Sequence, residues 1–276
     1  MIQIWKCNGN DKRRMPQWLW EKDLSILSNE KEMEETLFIW RKAEKRKEIV
    51  LPLVQNLEGA VLGAGVIKRG NYWTTGDYPF STLEEINPVQ FNLMKDKRIR
   101  TLIEVIKKLK EETLVLEVEA PFSVLAALID PMKLYLAMQT EPDKLEKILK
   151  KIVLEEAEYI KAVIQAGCRI ISLAEPTGTV DMVGEKCFKE CSGMAAFMFL
   201  KELEKFLSNS VVHLCGKLSS SMIAVHMAKE EEYFVPGETY LENLIEATKN
   251  PEIHFVGQRC IHQRKNGTGK IHVMRI

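Results

Sequence analysis

The sequence lacks an excess of charge of either sign. Lys plus Arg and Asp plus Glu stand at 39 each in 276 residues, which excludes both the basic field of a nucleic-acid binder and an acidic field for cationic substrates. Recognition must then be local. The chain also lacks any apolar run near the ~20 residues that a membrane helix needs. Its start, Met1-Ile-Gln-Ile-Trp-Lys-Cys-Asn, has no basic stretch followed by an apolar one, the mark of a signal peptide. A cytoplasmic protein with neither membrane nor nucleic acid among its partners is the expectation. Cysteine is sparse and scattered: Cys7, Cys168, Cys187, Cys191, Cys215 and Cys260 do not have the dense spacing of a secreted disulfide scaffold. Reduced thiols or metal ligands are expected instead. No fixed-period repeat, low-complexity tract or Pro/Gly-rich linker breaks the chain, so residues 1–276 read as one domain, and 46% hydrophobic residues can supply its core.

What is present has the rhythm of an α/β protein. Residues 29–48 place Leu37, Phe38, Trp40 and Ala43 among charges, the pattern of an exposed helix with a narrow apolar stripe. Ile49 to Val54 is a short strand-like run, and Leu57 to Ile67, with small residues and glycines, suggests a tight passage into another strand. The aromatic and glycine-rich stretch Gly70 to Phe80 reads as an ordered loop that could wall a pocket. Beyond it the spacing predicts a helix over 98–111, a strand over Thr113 to Glu119, and a long helix capped by Thr140 that runs to Gly167. A strand ending at Glu175, a helix over about 185–207, a strand over 210–216, a helix over about 239–248, and strands at 253–257 and 270–276 follow. Such alternation favours a parallel sheet with right-handed crossovers, open or closed as a barrel.

The chemistry concentrates at strand ends. In His213-Leu-Cys-Gly a strand gives way to a glycine turn, and period-2 geometry puts His213 and Cys215 on one side of it. Imidazole and thiolate suit zinc. The same pair on a buried strand is also compatible with plain packing; Cys260, just past another strand end, favours the metal and is the expected third ligand, with His262 its competitor. Glu175 ends a strand as well, where it could serve a metal, a ligand or a salt bridge. Glu117 and Glu119 share one face of theirs, an expensive place for carboxylates unless paired or functional. Arg98, Arg100 and Arg169 are candidate partners. His226, His254 and His272 read as structural, and Cys187 and Cys191, four apart on a helix, as an apolar face.

Several stretches, in order, resemble the uroporphyrinogen decarboxylase-like superfamily, on its branch of zinc-dependent methylcobamide:coenzyme M methyltransferases. Arg14-Met-Pro-Gln-Trp resembles that family's Arg-x-Pro-x-Trp, Leu57-Glu-Gly-Ala-Val-Leu-Gly its Glu-Ala-x-x-Leu-Gly, and Ala120-Pro-Phe its Gly-Pro-Phe. Ala166-Gly-Cys-Arg-Ile-Ile-Ser-Leu-Ala-Glu-Pro resembles its Ala-Gly-Ala-Asp-x-Ile-x-x-x-Asp-Pro, with Glu175 in place of Asp, and His213-Leu-Cys-Gly its His-x-Cys-Gly zinc motif. The resemblance implies a (β/α)8 TIM barrel with its site at the C-terminal strand ends. It implies zinc on His213, Cys215 and Cys260, with Glu175 and Glu119 as catalytic candidates. A methyl group would move between a corrinoid, carried on a separate protein, and a small acceptor: a thiol such as coenzyme M or a pterin such as tetrahydrofolate. The arginine-rich segment and pyrrole-binding aspartate of the decarboxylases are not present, which disfavours the alternative of a metal-free decarboxylase. A non-catalytic barrel that binds a corrinoid protein is a further alternative. The chain is shorter than is usual in the family, with only 44 residues between Cys215 and Cys260, which implies a lost or shortened barrel unit.

Overall fold

The computed structural model describes residues 16–69, 72–262 and 269–276. Cys7, Arg14, Met15, Gly70 and Asn71 lie outside the described residues. The strands are β1 (Ile49–Leu51), β2 (Gly65–Arg69), β3 (Tyr72–Gly76), β4 (Leu114–Glu119), β5 (Ile170–Ala174), β6 (Val211–Cys215), β7 (Lys229–Phe234), β8 (Phe255–Arg259) and β9 (Lys270–Arg275). The helices are α1 (Gln17–Trp20), α2 (Glu30–Ala43), α3 (Leu57–Val61), α4 (Leu83–Ile86), α5 (Lys97–Lys108), α6 (Pro121–Leu128), α7 (Pro131–Thr140), α8 (Pro142–Ala166), α9 (Val180–Cys187), α10 (Gly193–Glu204), α11 (Gly216–Ala224) and α12 (Tyr240–Ala247).

Capping and apolar spacing explain the main helices. The Asn29 side chain accepts the Glu32 N–H at the start of α2, which buries Met33, Leu37 and Trp40 on one face. Asp96 does the same for α5 through the Arg98 N–H at 2.7 Å. The 25-residue α8 turns Leu145, Ile148, Leu149, Ile152 and Ile160 inward, each worth roughly 1.5–3 kcal/mol of burial, and stops at Gly167, whose φ of 119° only glycine adopts readily.

Seven strands form one sheet in the order β1-β4-β5-β6-β8-β9-β7. β1, β4, β5, β6 and β8 run parallel, and β9 is antiparallel to both of its neighbours. Among the described residues the sheet keeps two free edges, β1 and β7, so it is an open member of the expected barrel class. Its outer face, with Leu116, Val118, Ile171, Leu173, Val212 and Leu214, packs in the main core with residues of α5, α8 and α10. The inner face carries Val115, Ile170, Val211, Val256 and Val273, covered by Tyr240, Leu244 and Ala247 of α12. Further along the inner face the register aligns Glu117 with Ser172 and Ser172 with His213. Polar groups thus enter that face at one level, near the C-terminal strand ends.

Several local expectations change. Leu57 to Val61 is a helix, because Asn56, at φ 55°, turns its Oδ1 onto the Gly59 N–H at 2.8 Å. Tyr72 to Gly76 is a strand, paired antiparallel with β2, rather than a loop. Thr140 does not cap α8: it closes α7, and its hydroxyl donates to the Leu136 carbonyl. The helix expected over 185–207 is divided, with a π-helical segment at Phe188–Ser192 between α9 and α10. No single helix among the described residues is long and apolar enough to cross a membrane.

Candidate functional site at the C-terminal rim

His213 is fully buried on β6. Its Nδ1 lies 3.1 Å from Ser172 Oγ and its Nε2 3.1 Å from the Arg259 carbonyl oxygen. The carbonyl can only accept, so Nε2 carries the proton and Nδ1 accepts from the serine hydroxyl. Burial pushes the imidazole down to about 4, partly opposed by the Arg259 carbonyl, and a further lowering comes from His262. The ring is therefore neutral near pH 7, the form in which histidine binds metals. Tyr240 stands edge-on to it at 5.7 Å and is itself stacked by the Arg259 guanidinium.

Cys215, where β6 becomes α11, is partly exposed and caps that helix: the Leu218 N–H donates to its Sγ at 3.5 Å. Burial pushes the thiol up, while the amides of Glu175, Leu218 and Lys217 pull it down. The net rise keeps sulfur protonated unless a cation binds it.

Cys260 follows β8 as a partly exposed thiol outside any disulfide. A bulge places it. Between His213 and Cys215 the β6–β8 register shifts by one residue, with Gln258 at φ 63° and its N–H on Ser219 Oγ at 2.8 Å. That kink aligns Arg259 with Cys215 and brings the peptide before Cys260 onto His213. His262 lies 3.3 Å from Glu117. His213, Cys215 and Cys260 thus share one rim, yet among the described residues no three His, Cys, Asp or Glu side chains form a group that could hold a metal. The donor types suit zinc. Placing a metal on Nε2 calls for the Arg259 carbonyl to withdraw and the ring proton to move to Nδ1, where Ser172 Oγ can accept it.

The two other acids are buried, and neither lies in an open position. Glu175 accepts from Ser123 Oγ and from the Ser123, Thr177 and Gly178 N–H groups, the first two at the start of α6. Glu119 accepts from Asn56 Nδ2 at 2.9 Å. Burial raises Glu175 to about 7 and Glu119 to about 8, the latter also through the charges of Glu175 and Glu58. Sequence reasoning missed Ser172, Asn56, Ser123, Glu58 and Glu156. Glu156 was visible as an acid inside the apolar stripe Ile152, Glu156, Ile160; Ser172 depends on strand register, which no local pattern reveals.

Residues 58–233 match the family model for uroporphyrinogen decarboxylase (URO-D), more than half of the chain. The chain belongs to the uroporphyrinogen decarboxylase family. A curated relative, the methylcobamide:CoM methyltransferase MtaA of Methanosarcina barkeri, is 24% identical over 172 residues, 59% of this chain and 48% of the relative. The chain therefore spans about half the length of that relative. A solved methyltransferase from Methanosarcina mazei shares the fold at TM-score 0.58 and 19% identity, over 72% of this chain and 61% of that one. Within this uroporphyrinogen decarboxylase-family chain, His213 and Cys215 fall inside the matched stretch and Cys260 beyond it.

Proposed function

We propose that the protein moves a methyl group between a corrinoid on a separate carrier protein and a small acceptor, a thiol such as coenzyme M or a pterin, at a zinc centre held by His213, Cys215 and Cys260. The observation that carries this reading is the state of His213. It is a neutral imidazole, anchored through one nitrogen by Ser172, with the other turned to the peptide that precedes Cys260. The curated relative's name supplies the class of reaction. When bound, zinc lowers the pKa of a coordinated thiol and makes it a nucleophile at neutral pH. The chain's own residues position. Ser172 holds the His213 ring. Glu175 gathers the amides of Ser123, Thr177 and Gly178, its backbone amide favours the Cys215 thiolate, and Glu119 holds Asn56 at the neighbouring strand end.

A second reading, a barrel that binds a corrinoid protein without turnover, is favoured by the engagement of both His213 nitrogens within the protein. Incubating zinc-supplemented protein with methylcobalamin and coenzyme M separates the two. Methyl-coenzyme M formation that is lost in Cys215→Ser is the expected result. Bound zinc without turnover favours the second reading, and neither zinc nor turnover overturns the first.

A further inference from the structure

Four glutamates lie buried beside the rim, on four different segments, and two of them have no donor at all. Glu58 on α3 and Glu156 on α8 are 1% and 2% exposed, and neither oxygen of either carboxyl has a hydrogen-bond partner. Glu119, at the end of β4, accepts from Asn56 Nδ2, and Glu175, after β5, has its oxygens engaged by Ser123, Thr177 and Gly178. The Tyr159 phenol, one helical turn from Glu156, is fully buried and also unpartnered. The titratable groups that face this region are Glu58 from α3, Glu119 from β4, Glu156 and Tyr159 from α8, Glu175 from the turn after β5, Tyr135 from α7, Cys168 ahead of β5, Cys191 ahead of α10 and Cys215 at the end of β6. None is basic. A carboxylate removed from water without counter-charge or donor is far less stable than its neutral acid, and each ionised neighbour makes it worse.

We propose that Glu58, Glu119 and Glu156 form a buried proton-holding site, whose carboxyl groups carry protons in the folded protein, and that Glu58 and Glu119 release theirs together with the opening of α3 from its seat on β4 and α6. The helix that yields is α3, because it has only five residues and its seat is fixed by Asn56, which donates to Glu119 and to the Ser123 carbonyl. A small displacement hydrates Glu58. Glu156, in the middle of the 25-residue α8, has no such freedom.

Burial raises Glu58 to about 7, and Glu156 goes well above the usual carboxylate range, through burial and then the charges of Glu58, Glu175 and Glu119. The folded state thus holds protons that an unfolded chain has lost above about pH 4.3. Stability from Glu58 and Glu119 is complete below that value and is lost as pH rises through about 7 to 8. The site is independent of the zinc reading, since neither Glu58 nor Glu156 is a proposed ligand.

Infrared spectroscopy of the wild-type protein is the direct test. The carbonyl band of protonated, buried carboxylic acids should be present at pH 7, weaken by pH 9 as Glu58 and Glu119 ionise, and lose intensity at pH 7 in Glu58→Gln and Glu156→Gln, whose amides mimic the neutral acids in shape. Hydrogen exchange over residues 57–69, corrected for the intrinsic rate, should quicken several-fold between pH 6 and pH 9 in the wild type and stay level in Glu58→Gln. Absence of the band in the wild type at pH 7 overturns the proposal whether or not the variants fold. So does unchanged alkaline opening in Glu58→Gln.

Discussion

His213 holds two partners that both concern its single ring proton. With the proton on Nε2, the ring donates to Arg259 and accepts from Ser172; with the proton on Nδ1, Nε2 has a free lone pair at the rim. Ser172 serves in either case, because a hydroxyl both donates and accepts. Ser172→Ala should therefore act twice. It leaves a buried imidazole nitrogen unsatisfied, at about 1–3 kcal/mol of stability, and it should weaken zinc binding by roughly 10–100-fold. Thermal melts and competition with a metal chelator measure the two effects. The pair His213 and Cys215 was legible in the sequence because strand alternation and a following glycine are local signals. Ser172 was not, because its role comes from the β5–β6 register.

At the scale of elements, a single contact decides how β8 delivers Cys260. Gly257 lies so close to α11 that an added Cβ would meet Ser219 Cβ at 2.6 Å, and the next residue, Gln258, takes its left-handed conformation with its N–H on the same serine. Gly257→Ala should push α11 off the sheet and cost about 1–3 kcal/mol, seen as a lower melting temperature, while also shifting Arg259 away from His213. The bulge itself left no sequence signal beyond the glycine. Other elements escaped for related reasons. Around Glu58, α3 has small and apolar residues that suit a strand equally well, and only the Asn56 cap turns them into a helix. β7 reads Lys-Glu-Glu-Glu-Tyr-Phe, without apolar alternation, because it lies exposed at a sheet edge; Glu230, Glu231 and Glu232 pair with His272, Arg275 and Lys270 of β9. Charge on an edge strand also discourages pairing with other chains.

For the whole molecule, the parallel strands β4, β5, β6 and β8 and the helices α8, α10 and α12 were legible because each has its own period and its own stop, whereas α6, α7, α11 and β7 between them were not. Closure was not. Whether strands join into a barrel depends on their number and shear, and here β9 turns antiparallel and β7 takes the edge beyond it. Cys260 lies just past the last parallel strand before that reversal, beyond the stretch that matches the family. The architecture therefore places two proposed ligands on β6, inside the stretch that matches the family model, and the third beyond that stretch. The metal content of the purified wild-type chain, measured beside Cys215→Ser and Cys260→Ser, tests the zinc centre most directly. About one zinc per wild-type chain, sharply reduced in both variants, is the expected result; a folded wild-type protein that takes up no zinc would contradict it.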